Sequence, residues 1–302
     1  MTSPVGPGGD SAADNGLDDI GWVLWSGTIG LESPIEARVA AAQASGFTRV
    51  TVGPHDVARA EEEGTKADEL GRYLHDAGLE VVMDPVMNWC GDPSGGTKFA
   101  PFSLDEVLRL SETWGVVSIN VLGPMNEVPL QDLIGPFGSI CDRAADLGAQ
   151  VFLEFMPMLG VKDLAGAWAI VQGADRPNGG ILFDTWHFFR SDPDFTLLES
   201  VPGDRILAVQ IADAPAEVQT SIEEETFNRR LPGDGSLDLA RVVRSLDGIG
   251  GLRWVGPEVI SPLTQGMDPV DAARLAGGRV RELITRVRSE SGSGGPAEVA
   301  PG

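Results

Sequence analysis

Residues 179–190, GGILFDTWHFFR, decide how the rest of the chain is read. Ile181, Leu182 and Phe183 form a short apolar run behind the turn-forming Asn178, Gly179 and Gly180, the signature of a buried strand. Asp184 then stands where the run should continue, and His187 follows three residues later. A carboxylate at the carboxyl end of a buried strand is costly unless a cation, a hydrogen-bond network or a metal compensates it. The rest of the sequence must therefore be searched for other strands that end in the same way.

The same rhythm runs in both directions from this stretch. Apolar runs at 20–25, 49–52, 79–83, 116–122 and 150–155 precede it, and runs at 206–211 and 253–260 follow it. Each leads into an amphipathic stretch. Helices are predicted over 34–45, with Ser33 as N-cap and Pro34 at the first helical position, and over 65–77. Further helices are predicted over 104–114 behind a Ser103 cap, then 130–147, 161–171, 194–199, 237–246 and 269–288. A long connection, 212–235, follows the seventh run. The ends, 1–19 and 289–302, are rich in Gly, Pro, Ser and Ala and read as disordered tails.

Eight short apolar strands alternating with eight helices point to βαβ units around a parallel sheet buried on both faces. No GxGxxG follows an early strand, which disfavours an open dinucleotide-binding sheet. The expected fold is α/β, a closed (β/α)8 TIM barrel over 20–288, with its site at the carboxyl ends of the strands.

The chain has 302 residues, of which 42% are apolar, and a net charge of −23. That charge argues against nucleic acid or an anionic membrane surface as the main partner. No apolar run approaches a membrane span, and no secretory signal is evident at the N-terminus, so a cytoplasmic location is expected. Cys90 and Cys141 lack any metal or redox spacing and read as free thiols.

Read one by one, the carboxyl strand ends of the second half agree with one another. VFLEFMP carries Glu154, ILFDTWH carries Asp184, ILAVQIAD carries Gln210 and WVGPEVIS carries Glu258. In a barrel these four oxygen-bearing side chains are neighbours on one arc of the mouth. Three carboxylates so close need a counter-charge, and these four segments supply no Lys or Arg. A divalent cation provides it, and an all-oxygen set favours Mg²⁺ or Mn²⁺ over Zn²⁺ or Co²⁺.

The segments LEFMP, FDTWH, VQIAD, RLPGDG and PEV, in this order, resemble the xylose isomerase-like TIM barrels over about 20–288. That superfamily includes ketose 3-epimerases, inosose dehydratase, 3-dehydroshikimate dehydratase and endonuclease IV. The resemblance places metal ligands at Glu154, Asp184, Gln210 and Glu258. It is a Gln, found among dehydratase members, that stands where the epimerases have His. The resemblance also implies a keto-sugar or cyclitol substrate, with proton abstraction next to a carbonyl through a metal-stabilised enediolate. Glu154 and Glu258 are then the acid/base pair, and His187 is a proton donor to a leaving hydroxyl. Reprotonation gives an epimer or isomer, whereas loss of a β-hydroxyl gives a lyase. C-glycoside cleavage with a small partner subunit, a homo-oligomer, and a non-catalytic sugar-binding barrel are further readings. Three histidines and the acidic charge disfavour a zinc-cluster nuclease.

Other residues are assigned to substrate. Arg230 in the long loop is expected against substrate oxygens, beneath a closing loop that also carries Glu223, Glu224 and Glu225. His55, after the second strand, can reach the mouth. Trp25, Trp89 and Trp186 lie near strand ends, where flat rings can wall a sugar face.

Overall fold

The computed structural model describes residues 16–87, 89–91 and 102–292. Eight parallel strands close a barrel in sequence order: β1 Gly21–Leu24, β2 Arg49–Val52, β3 Glu80–Val86, β4 Ser118–Leu122, β5 Gln150–Glu154, β6 Gly179–Asp184, β7 Ile206–Ile211 and β8 Trp254–Pro257. β1 pairs with both β2 and β8, so the sheet has no free edge.

Strand parity builds two apolar layers. Val23, Val82, Phe152, Leu182 and Ala208 meet inside the barrel, with Trp25 above Val23. Their neighbours Ile119, Val121, Val151, Leu153, Ile181 and Val209 face outward into the core shared with the helices. This double burial is why the strands read as continuous apolar runs. At the amino-terminal end Arg49 lies 3.2 Å over the Trp254 ring and pairs with Glu80 at 2.6 Å, plugging the barrel opposite the mouth.

Several local expectations are corrected. The third strand does not stop at residue 83. It continues through the cis Asp84-Pro85 bond to Val86, which pairs with Val121 after a register shift. That extension carries Asp84 up the barrel wall. A helix over Pro54–Glu62 went unpredicted because PHDVARAEE has few apolar residues. It is nucleated by Pro54 at its start and by Asp56, whose Oδ2 accepts from the Gly53 N–H at 2.8 Å. Ser33 does not cap the first helix, which starts at Ile35. Its hydroxyl instead donates to the Ile29 carbonyl. Ser103 does cap Leu104–Trp114, in a reciprocal box with Glu106. The helix after the fifth strand begins later than predicted, at Leu164 behind an Asp163 cap.

The tail boundaries also shift. The last helix spans Pro269–Gly292, so 289–292 are helical. Leu17 packs against the core, and Asp19 meets Arg288 at 2.7 Å. The remainder of both expected tails lies outside the described residues. Among the described residues, no helix is long and apolar enough to cross a membrane.

Candidate metal centre and active site

One layer above the apolar interior, the inward positions turn polar. Asp84 on β3, Asn120 on β4, Glu154 on β5, Asp184 on β6 and Gln210 on β7 ring the mouth, and Glu258 follows directly after β8. This is the carboxyl-terminal face, where barrel active sites are built.

The local sequence after β6 shapes the centre of the ring. Asp184 caps the short helix Thr185–Arg190, and its Oδ1 accepts from the N–H groups of Trp186 at 2.6 Å and His187 at 3.1 Å. The cap turns the chain so that His187, one helical turn on, points back over the barrel. Its Nε2 lies 3.2 Å from Glu154 Oε1 and 3.7 Å from Asp184 Oδ2. Neither ring nitrogen has a hydrogen-bond partner, although the side chain is wholly buried. Glu154, Asp184 and His187 each present a ligand atom within 4.8 Å of the other two. The Gln210 amide reaches the same point. Turned nitrogen-inward, it donates to Asp184 Oδ2 at 2.9 Å and Glu154 Oε1 at 3.2 Å, and turned oxygen-inward it adds another ligand atom.

A divalent cation fits this donor set. Two carboxylates, an unpartnered imidazole nitrogen and an amide converge on one point, each buried to 5% exposure or less. Metal sites use such groups. Two of the expected residues stand differently toward this group. His187, expected as a proton donor beside substrate, lies in the compact group with Glu154 and Asp184, where its imidazole could add a nitrogen to the expected oxygen ligands. Glu258, expected as a ligand, stands outside that group. It lies one step past the end of β8, and a side chain at Gly27 would run into its carboxylate.

The electrostatics follow from this crowding. Burial drives the Glu258 carboxyl well above its ordinary value. Repulsion from Asp84, Asp184 and Glu154 adds to the rise, and Arg229 opposes it. Burial and then Glu154 push Asp84 up to about 7, against the opposing effect of the Asn120 amide. Burial also works to raise Asp184, but Arg229, His187 and the backbone N–H of His187 hold it below its ordinary value.

Asp84 gives a measurable pH effect. The folded protein keeps its proton up to about pH 7, whereas the unfolded chain releases it near about pH 4. The native state binds the extra proton between those values, so metal-free protein loses stability as pH rises through that window. Asp84→Asn is expected to flatten the fall, measured by urea unfolding at a series of pH values. Equal slopes for the two proteins would contradict the assignment.

The counter-charge missing from the strands comes from the long loop, and it is Arg229. Its Nη1 donates to Asp184 Oδ2 at 2.7 Å and to the Glu258 carbonyl at 3.2 Å. The guanidinium lies 4.8 Å from the Trp186 ring centroid, and its Nε is buried without a partner. Arg230, the residue expected here, is exposed and donates to the Asp234 carbonyl at 3.2 Å. Its backbone pairs with Asp213 as an antiparallel bridge, which turns the neighbouring Arg229 inward. Asp213 fixes the rest of the turn by accepting from the N–H groups of Ala214, Gly233, Gly235 and Leu237. Gly235 is required because a Cβ there would strike the Asp213 carboxylate. The acidic run is not uniformly solvated either. Glu225 is 4% exposed, pairs with Arg190 and accepts from the Trp186 indole at 2.9 Å.

The remaining expected contacts divide. His55 sits on the β2–β3 side of the mouth, half-buried, with Nδ1 unpartnered and its pKa lowered chiefly by burial. Trp25 is fully buried within the interior apolar cluster. Trp186 is fully buried beneath Arg229 and supports it rather than walling an open cavity. Trp89 faces the helical layer, where its indole donates to the Leu122 carbonyl at 2.6 Å and its ring meets Phe137 edge-on. Asp84, Asn120 and Arg229 were not singled out from the sequence. The first two obey the same rule that revealed Glu154 and Asp184, namely a polar residue at an inward position near a strand's end.

The profile of the family described as xylose isomerase-like TIM barrel matches residues 39–277. A 3-dehydroshikimate dehydratase of Pseudomonas aeruginosa is 27% identical over 219 residues, 70% of this chain and 34% of that protein. An inosose isomerase of Bacillus licheniformis is 26% identical over 149 residues, 49% of this chain and 53% of that protein. The chain thus spans about a third to a half of the length of these curated relatives. A solved structure titled as the IolI protein with a bound zinc atom superposes with a TM-score of 0.76 at 17% identity, covering 89% of this chain and 99% of that one. With the profile covering most of a barrel whose eight strands close in order, the chain belongs to the xylose isomerase-like TIM barrel family.

Proposed function

We propose that the protein is a divalent-metal-dependent isomerase or epimerase of a neutral keto-sugar or cyclitol, working by proton transfer next to a carbonyl. The observation that carries this reading is the convergence of Glu154, Asp184 and His187 on one point, with Gln210 beside them. A cation held there would supply Lewis-acid polarisation of the substrate carbonyl. Mn²⁺ is the preferred occupant, and the imidazole nitrogen makes Zn²⁺ its main competitor.

The chain's own groups supply the rest. Glu154 presents Oε1 to the centre and is the proton acceptor on one side. Glu258, whose carboxyl is held protonated well above the ordinary range, returns a proton from the β8 side. Arg229 has its Nε–H left to donate to a substrate oxygen, and Trp186 holds the guanidinium in place. The acidic mouth disfavours a phosphorylated substrate.

A second reading, a dehydratase acting on a related keto-polyol, is favoured by the 3-dehydroshikimate dehydratase likeness, which extends over more of this chain than the inosose isomerase likeness. Incubation with ketoses, inososes and 3-dehydroshikimate in D₂O with Mn²⁺ tests both. Deuterium at the carbon next to the carbonyl with unchanged formula marks the isomerase or epimerase, and loss of one water marks the lyase. Metal-dependent turnover without exchange at any carbon would refute the proton-transfer reading.

A further inference from the structure

We infer that Asn120 is a positioning residue that fixes which oxygen of Glu154 faces the cation site; the inference rests on the metal-dependent reading above. The Asn120 Nδ2 donates to Glu154 Oε2 and to Asp84 Oδ1, each at 2.7 Å. The other Glu154 oxygen, Oε1, is the one 3.2 Å from His187 Nε2. The two oxygens are therefore divided, with one turned to the ligand group and the other held by β4. The amide is set nitrogen-inward here, because its oxygen in that place would be repelled by the Glu154 carboxylate. Consistent with this, Asn120 Oδ1 is buried on the far side without a partner.

The side chain is completely buried on a strand whose outward neighbours Ile119 and Val121 are core residues. A buried amide that leaves one of its own acceptors unsatisfied is costly as pure structure. Its two donations go to the two carboxylates of this wall of the mouth. It separates Asp84 from Glu154 and stops Glu154 from rotating away. Outer-shell groups of this kind typically change metal affinity by about 10–100-fold when removed.

The test is a titration of metal-free protein with Mn²⁺, reading free Mn²⁺ by electron paramagnetic resonance. Asn120→Leu keeps the volume and removes the donor; Asn120→Ala is the second variant should Leu prevent folding, as judged by circular dichroism. Ser118→Ala, a buried polar position lower on the same strand, controls for general loosening of β4. The expected result is Mn²⁺ binding weakened by about 10–100-fold in the Asn120 variants and unchanged in Ser118→Ala. Wild-type affinity within twofold in a folded Asn120 variant would overturn the inference, as would equal weakening in Ser118→Ala. Absence of Mn²⁺ binding by the wild-type protein would instead overturn the metal-dependent reading itself.

Discussion

Asp184→Ala is expected to purify without stoichiometric divalent metal and to lose about 3–5 kcal/mol of stability, the usual cost of breaking a buried ion pair from one side. The residue has three tasks. Its Oδ1 caps the helix that carries His187. Its Oδ2 neutralises Arg229, whose side chain is 2% exposed. The same carboxylate faces His187 Nε2 and the Gln210 amide across the ligand group. Alanine therefore strands a guanidinium in the protein interior, frees the helix start and opens the metal site together. Asp184→Asn separates these effects. Its side-chain oxygen can still accept the capping N–H groups, so more stability survives, while the charge facing the cation is gone. Elemental analysis and urea unfolding of metal-free protein check the two halves. Normal metal content in Asp184→Ala would remove this residue, and with it the proposed centre, from consideration.

The barrel was legible because parallel strands buried on both faces leave an unbroken apolar signal, and because each strand is followed by a helix. The site was legible where a single polar residue interrupted such a run, as Glu154 and Asp184 do. Asp84 and Asn120 carry the same signal, in VVMD and SIN, but the third strand was ended at residue 83, one residue short of Asp84. The strand instead passes through Pro85 to reach Val86. Roles were harder to read than places. A DxxH spacing sets His187 one turn beyond Asp184, but only the cap geometry shows that the ring returns to Glu154. Trp89 sits near a strand end as expected, yet its ring belongs to the layer outside the barrel. Sequence distance from a strand end does not specify which side of the sheet a loop residue takes.

The sharpest case is the pair of adjacent arginines. Arg229→Ala is expected to lower kcat/KM by about 10²-fold, roughly 2.7 kcal/mol, and Arg230→Ala to leave it unchanged. Neighbouring residues in an extended segment point to opposite sides, so one of the two faces the site, and the repeated arginine in the sequence does not say which. The short bridge between Asp213 and Arg230 decides it. Arg229 is 2% exposed against Asp184 and the Trp186 ring, whereas Arg230 is at the surface. Arg229→Ala also leaves Asp184 without its strongest cation, so the metal-free variant should be destabilised by about 3–5 kcal/mol. Part of that loss should return with Mn²⁺, because a bound cation replaces the missing charge beside Asp184. Arg229→Lys distinguishes charge from shape. An ammonium can pair with Asp184 but offers no second, fixed N–H in place of Nε. It should recover most of the stability while keeping much of the kinetic defect. Kinetics of Arg229→Ala equal to wild type, with those of Arg230→Ala impaired, would show that the loop takes another arrangement when substrate is bound.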